Sequence, residues 1–288
     1  LEQDLQNSAV SDLDGNGTTG DVFGVVVYAT AENEGTERRI VVDTDGDGRL
    51  NDEETRADFA HDPRTFTLGA EARREATAPL GIALNLWEDD PDKVTFVFDD
   101  GAHGSHVAGI AAGYRIGGQE GQNGIAPGAQ VISLKLGNNE LSGGATTTGS
   151  MWKAWHYAAD YADEHDAPVV IQMSYGVGSE NEGQAVMEQE IDRLLEQHEG
   201  LVACVSNGNE GPGLSTAGLP ACASRALGVG AVLNASSAEE LYGADLDQDL
   251  MFYFSSRGAE LAKPDVVTPG FAASTIPIWS GGRDVYRG

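Results

Sequence analysis

An α/β architecture with a mostly parallel sheet between helices is the fold class this sequence predicts. Short apolar runs recur at residues 130–136, 168–173, 201–205 and 227–232, continuous enough for strands buried on both faces. Between them lie segments with helical apolar spacing at 102–113, 147–164 (through Trp152, Trp155 and Ala159) and 185–197. Strands that alternate with helices in this way indicate a parallel sheet covered on both faces.

Length and charge bound the rest. The chain has 288 residues, enough for a sizeable core, and 40% of them are hydrophobic. The net charge of −29 argues against nucleic acid or an anionic membrane surface as partner. It suits a protein kept soluble in salt, or one that binds cations. No apolar run reaches transmembrane length, and Leu1 neither opens a signal peptide nor is an initiator Met. The sequence is therefore expected to be a piece of a longer protein. Two cysteines, Cys204 and Cys222, could pair or stay reduced, and they do not fix the compartment.

The first segment carries Asp12-Leu13-Asp14-Gly15-Asn16-Gly17, which begins like a calcium loop. Such a loop needs an acid at its twelfth position, where Phe23 stands, and the nearest acid is Asp21. It reads as a surface turn. Residues 22–29 read as a strand buried in part on both faces, with 38–42 as its hairpin partner. Next comes Asp43-Thr44-Asp45-Gly46-Asp47-Gly48, with Glu54 at the twelfth position. Oxygen ligands at alternate positions can wrap one hard cation, and Gly48 permits the sharp turn. Asp43, Asp45, Asp47 and Glu54 are expected to hold a structural Ca2+, with a solvated acidic hairpin as the alternative. Residues 55–79 read as charged and irregular, and 80–86 and 94–98 as an antiparallel pair around an acidic turn.

The chemistry begins at Asp99-Asp100-Gly101-Ala102-His103-Gly104-Ser105-His106-Val107-Ala108-Gly109-Ile110-Ala111-Ala112-Gly113. A histidine that acts as general base must sit at the mouth of a site, on a rigid element, with room for substrate. Gly101 and Gly104 give that room, and Val107, Ile110 and Ala111 form the face expected to bury the helix. His103, Ser174 and Asn209 all lie just after expected strands or at a helix start beside them. Ligands of parallel sheets bind there, at the carboxyl ends of strands.

The His103 motif is followed in order by Gln172-Met173-Ser174-Tyr175-Gly176, Val205-Ser206-Asn207-Gly208-Asn209-Glu210-Gly211-Pro212, Phe254-Ser255-Ser256-Arg257-Gly258 and Lys263-Pro264-Asp265-Val266-Val267-Thr268-Pro269-Gly270. Together these segments closely resemble the subtilisin-like serine peptidases, or subtilases. The resemblance implies a three-layer subtilisin-like fold with a mostly parallel sheet between helices. Residues 1–98 would be a β-rich insertion, and 99–288 the catalytic core, cut at the nucleophile motif. It further implies that His103 is the general base and that Asn209 gives its side-chain amide to the oxyanion. Ser174, Tyr175 and Gly176 would bind substrate, with Leu136 and Gly137 at the end of an earlier strand. Gln172 stands where the family often has Asn. The segment Ile40-Val41-Val42-Asp43-Thr44 imitates the triad aspartate, but Asp45 replaces the expected glycine, so the triad aspartate is expected before Leu1. Ser274 has no glycine turn before it. Gly288 reads instead as the glycine that opens Gly-Thr-Ser-Met, with the attacking serine beyond it.

The likeness is greatest to the tripeptidyl-peptidase II-like branch, through Ala102-His103-Gly104-Ser105-His106, Ser174-Tyr175-Gly176 and Leu214-Ser215-Thr216. That branch holds the substrate's terminal ammonium with two glutamates, and Ala145 and Val177 stand in their places here. A buried ammonium stripped of its counter-charges costs about 3–5 kcal/mol. An endopeptidase acting on polypeptides is therefore expected. The alternatives are a tripeptidyl aminopeptidase or a non-catalytic calcium-binding homologue. Acidity and the calcium-type loop point to secretion, although the branch also has cytosolic members.

Overall fold

A computed structural model describes residues 12–14, 16–32, 35–69, 80–87, 89–99, 101–137, 146–179, 181–277 and 286–287. The chain divides into two compact units: residues 1–131 with 137–145 and 275–286, and residues 132–136 with 146–274 and 287–288. The histidine helix falls in the first of these, with the amino-terminal strands.

In the first unit, β1 (Val25–Glu32) and β2 (Gly35–Val42) pair antiparallel, with Val27 opposite Ile40. The hairpin is longer than its apolar pattern because ladder hydrogen bonds continue through polar residues. Its burial is one-sided in an unexpected way. Val25, Val26 and Val27 are exposed, while Ile40, Val41 and Val42 are buried. The strand β3 (Ala83–Leu86) pairs antiparallel with β4 (Val94–Val97), as expected. Ile40, Val42, Phe66, Leu68, Ile82 and Leu84 share one core, with Phe66 edge-on to Phe96 at 6.3 Å. Phe66 and Leu68 lie in the stretch read as irregular; a bridge from Phe66 to Ile82 fixes them.

The helix α1 (His103–Ala112) begins at His103 itself. Val107, Ile110 and Ala111 are half-buried, and only Gly109 is fully buried in the helix. The turn at Asn123-Gly124 closes the helix end. Gly124, Ile125 and Ala126 donate N–H groups to the carbonyls of Gly113, Ile110 and Ala111 at 2.7, 3.0 and 2.8 Å. A Cβ on Gly124 would lie 2.6 Å from the Gly109 oxygen, so only glycine allows this approach.

The second unit holds the parallel sheet. The strands β5 (Val169–Met173), β7 (Leu201–Ser206), β9 (Leu227–Leu233) and β11 (Val266–Pro269) pair in parallel, β5 with β7, β7 with β9 and β9 with β11. The two-residue β10 (Leu250–Met251) pairs antiparallel with the end of β9, and β6 (Val177–Gly178) with β8 (Gly218–Leu219). Two helices, α2 (Thr148–His165) and α3 (Val186–Gln197), supply the apolar layer. Met151, Trp155, Ala158, Ala159 and Ala162 recur at helical spacing on α2, and Met187, Ile191 and Leu194 on α3. All of these but Ala162 share one core with Leu201, Ala203 and Val205 of β7. The Thr147 hydroxyl caps α2 by accepting the Ser150 N–H at 3.1 Å. A short α4 (Ala235–Tyr242) follows β9. The alternate residues of the sheet, Val170, Val202, Leu227 and Val266, are exposed.

The expected strand at 130–136 is corrected. Its residues form no ladder, and Val131, Ile132 and Leu134 are exposed. An apolar run becomes a strand only where a neighbour accepts and donates its backbone hydrogen bonds.

Candidate active site

In the second unit the site grows from strand ends. Met173 and Val205 are register partners in β5 and β7, so Ser174 leaves β5 level with Ser206, the last residue of β7. Ser174, Tyr175 and Gly176 connect β5 to β6. The Gln172 amide donates to the Ser174 hydroxyl at 2.9 Å, and the Tyr175 hydroxyl accepts the Thr146 N–H at 3.3 Å. Leu136 and Tyr175 pack against the same core. Glycine is required along the β6–β8 pair. A Cβ on Gly176 would meet the Leu219 oxygen at 2.9 Å, and one on Gly218 the Val177 oxygen at 2.6 Å. Gly137 is half-buried.

Asn209 sits in the loop after β7, exposed, with its own N–H donated to Glu210 Oε2 at 2.8 Å. The loop is tied down on both sides. Asn207 is buried; its N–H reaches the Val229 carbonyl at 2.9 Å, and its side-chain amide donates to the Ser256 carbonyl at 2.7 Å. Gly208 takes φ +109°, and a Cβ there would lie 2.6 Å from Glu210 Oε2 and 2.8 Å from Ser256 Oγ. Gly211 N–H donates to Phe254 O at 2.8 Å. An uncharged amide held on such a loop has two donors to offer an oxygen that gains charge.

The strand that follows is held from beneath. Lys263 is buried and donates to the carbonyls of Ala223 and Ala226 and to Asp265 Oδ2, the last at 2.6 Å. Glu182, also buried, accepts the N–H groups of Ala259, Glu260 and Leu261 at 2.8–3.0 Å. Burial alone would raise its pKa, but the donors Leu261, Ala259 and Glu260, with the Ser215 hydroxyl, hold it below the ordinary glutamate value. Cys204 and Cys222 are both free, and burial, with Glu188 and Glu182 nearby, pushes the Cys222 thiol up to about 12. Ser274, on the short β12 (Ala273–Ser274), is fully buried and closed to substrate.

In the first unit, His103 is exposed at the first turn of α1, and a Cβ on Gly104 would meet nothing within 4 Å. The acidic loop lies in the same unit. Ligand oxygens of Asp43, Asp45 and Asp47 come within 4.8 Å of one another. The structure does not bring Glu54 to them. It pairs with Arg56 at 3.1 Å and Arg64 at 3.3 Å. Glu53 turns in instead, its carboxylate accepting the Thr44 hydroxyl at 2.7 Å and the Asp45 N–H at 3.3 Å. Two arginines outcompete the loop for Glu54, a choice that template spacing does not encode. Ala145 lies outside the described residues, and Val177 is exposed on β6.

Parallel strands with helices packed on them, and an exposed asparagine beyond the end of β7, define an α/β protein, a class whose ligands bind at the carboxyl ends of the strands. A family model described as the subtilase family matches residues 70–282. Tripeptidyl-peptidase 2 of Caenorhabditis elegans is 37% identical over 172 residues, which are 59% of this chain and 12% of that protein. Pyrolysin of Pyrococcus furiosus is 29% identical over 256 residues, 73% of this chain and 18% of that protein. A solved structure titled S41 Psychrophilic Protease superposes with a TM-score of 0.51 at 23% identity, over 72% of this chain and 63% of its own. The chain belongs to the subtilase family of serine peptidases, and its α/β fold is subtilisin-like. It spans less than a fifth of the length of the two curated relatives.

Glu182→Gln tests the buried carboxylate. A depressed pKa adds stability that is present above the ordinary glutamate value and lost as pH falls through the folded one. The variant should lose about 1–3 kcal/mol at neutral pH, and the gap should close below about pH 4. Urea unfolding across pH checks this; a gap independent of pH contradicts it.

Proposed function

We propose that the full-length protein is a serine endopeptidase that hydrolyses polypeptides, with His103 as general base and Asn209 as oxyanion donor. A serine hydroxyl attacks the peptide carbonyl carbon, and its proton passes to His103. The carbonyl oxygen becomes an oxyanion and takes a hydrogen bond from the Asn209 amide. His103 then returns the proton to the leaving amine, and water releases the acyl group. The observation that supports this most is the exposed Asn209 on a loop locked at the carboxyl end of β7. Its position in Gly208-Asn209-Glu210-Gly211 matches the family's oxyanion motif.

Internal cleavage is favoured over release of tripeptides. Val177, at the start of β6, has no charge to offer a terminal ammonium. The nearby acid Glu182 is buried and already spent on three backbone N–H groups. The relatives named tripeptidyl-peptidase 2 keep the aminopeptidase as the second reading. Among the described residues no helix is long and apolar enough to cross a membrane. The net charge of −29 favours secretion.

Asp43, Asp45 and Asp47 are proposed to hold one structural Ca2+. Asp43 Oδ1 and Oδ2 accept the N–H groups of Gly46 and Gly48 at 2.9 and 3.0 Å, which folds the loop around the three carboxylates. Each oxygen keeps a lone pair for a cation. The role is stability, since the loop belongs to the β-rich part of the first unit.

Three outcomes are expected. Asn209→Ala in the full-length protein should lower kcat by about 10²–10³ with little change in KM; a raised KM at constant kcat would make Asn209 a binding residue. A peptide substrate and its acetylated twin should be cut at similar rates, whereas strong preference for the free amine would favour the aminopeptidase. Calorimetric titration with calcium should show a site that disappears in Asp45→Ala, along with the calcium-dependent rise in Tm. No heat and no shift would leave an acidic hairpin.

A further inference from the structure

We propose that Ser256 is the positioning residue for the Asn209 amide, an inference that rests on the peptidase reading above. Ser256 is fully buried. Its hydroxyl accepts the Glu210 N–H at 2.9 Å and donates to Glu210 Oε2 at 3.1 Å. Its N–H donates to the Gly208 carbonyl at 3.1 Å, and its carbonyl accepts the Asn207 side-chain amide at 2.7 Å. One residue therefore grips the chain at 207, 208 and 210, on both sides of Asn209. The carboxylate oxygen that Ser256 holds is the same Glu210 Oε2 that accepts the Asn209 N–H at 2.8 Å. The Asn209 backbone is fixed while its side chain is left exposed.

The grip is referred to the sheet. Ser255 is buried beside Ser256, and its hydroxyl accepts the Ala231 N–H of β9 at 3.0 Å. The Gly211 N–H closes the far end of the loop on Phe254. Gly208 at φ +109° leaves no space for a Cβ between Glu210 and Ser256, so only glycine allows this close contact. An oxyanion donor is effective only when it is already aimed, because aiming it during the reaction costs reorganisation. A misplacement near 1 Å costs about 10²-fold in rate. Removing the Ser256 hydroxyl frees the Glu210 carboxylate, and with it the acceptor that fixes Asn209.

The test is a double-mutant cycle in the full-length protein, with kcat and KM measured for Ser256→Ala, Asn209→Ala and the double variant. Ser256→Ala should lower kcat by about 10- to 100-fold with KM nearly unchanged. The loss should vanish in the Asn209→Ala background, since no amide remains to be aimed. Equal loss in both backgrounds would mean a general structural role and overturn the proposal. So would unchanged kcat in Ser256→Ala while Asn209→Ala is impaired. If Asn209→Ala keeps full kcat, the oxyanion reading itself fails, and this inference with it. Glu210 is exposed, so Glu210→Ala serves if Ser256→Ala does not fold. It removes the shared acceptor and should show the same background-dependent loss, and a loss that persists beside Asn209→Ala overturns the proposal.

Discussion

Parallel pairing of β5 with β7 and of β7 with β9 is the constraint on which the second unit depends. Parallel neighbours cannot be joined by a tight turn, so the chain must leave the sheet and return over its face. That return is α3 between β5 and β7, and its apolar stripe becomes the roof of the core. The same parallel pairing, carried on to β11, sends the carboxyl ends of β5, β7, β9 and β11 in one direction. With Met173 level with Val205, the register places the start of the Ser174 segment beside the start of the Asn209 loop. A slip of one residue would move Ser174 out of step and turn Leu201, Ala203 and Val205 from the core to solvent.

Around that end of the sheet the chain buries polar groups that a simpler core would exclude. Asn207, Ser255, Ser256, Lys263 and Glu182 are all buried. Asn207, Ser256, Lys263 and Glu182 bond backbone that belongs to loops, while Ser255 bonds the Ala231 N–H of β9. Loops cannot satisfy their own N–H and carbonyl groups as strands do, so buried side chains must serve them. Removing one partner from such a set leaves the other desolvated, which makes these loops stiff. Stiffness is what a site needs when its donor must already be aimed.

Much of this was legible in the sequence. The spacing of Trp152, Trp155 and Ala159 pointed to the helix, and the runs at 168–173, 201–205 and 227–232 to the parallel strands. Motif order pointed to the family, which the match over 70–282 supports. Less visible were choices between near-equal partners. Glu53 and Glu54 are adjacent and chemically alike, and only the placement of Arg56 and Arg64 decides which faces the acidic loop. The run at 130–136 has the composition of a strand, but composition does not supply a neighbour. Ser256 lay in a motif that marked the family, yet its several hydrogen bonds to 207, 208 and 210 depend on a fold that brings together residues 46–49 apart in the chain.

The most direct test of the peptidase account is labelling of the folded full-length protein with a fluorophosphonate probe, which reacts with a serine only when a base activates it. One labelled serine outside residues 1–288 is expected, with labelling strongly slowed by His103→Ala. Labelling at Ser274, equal labelling without His103, or none at all would contradict it.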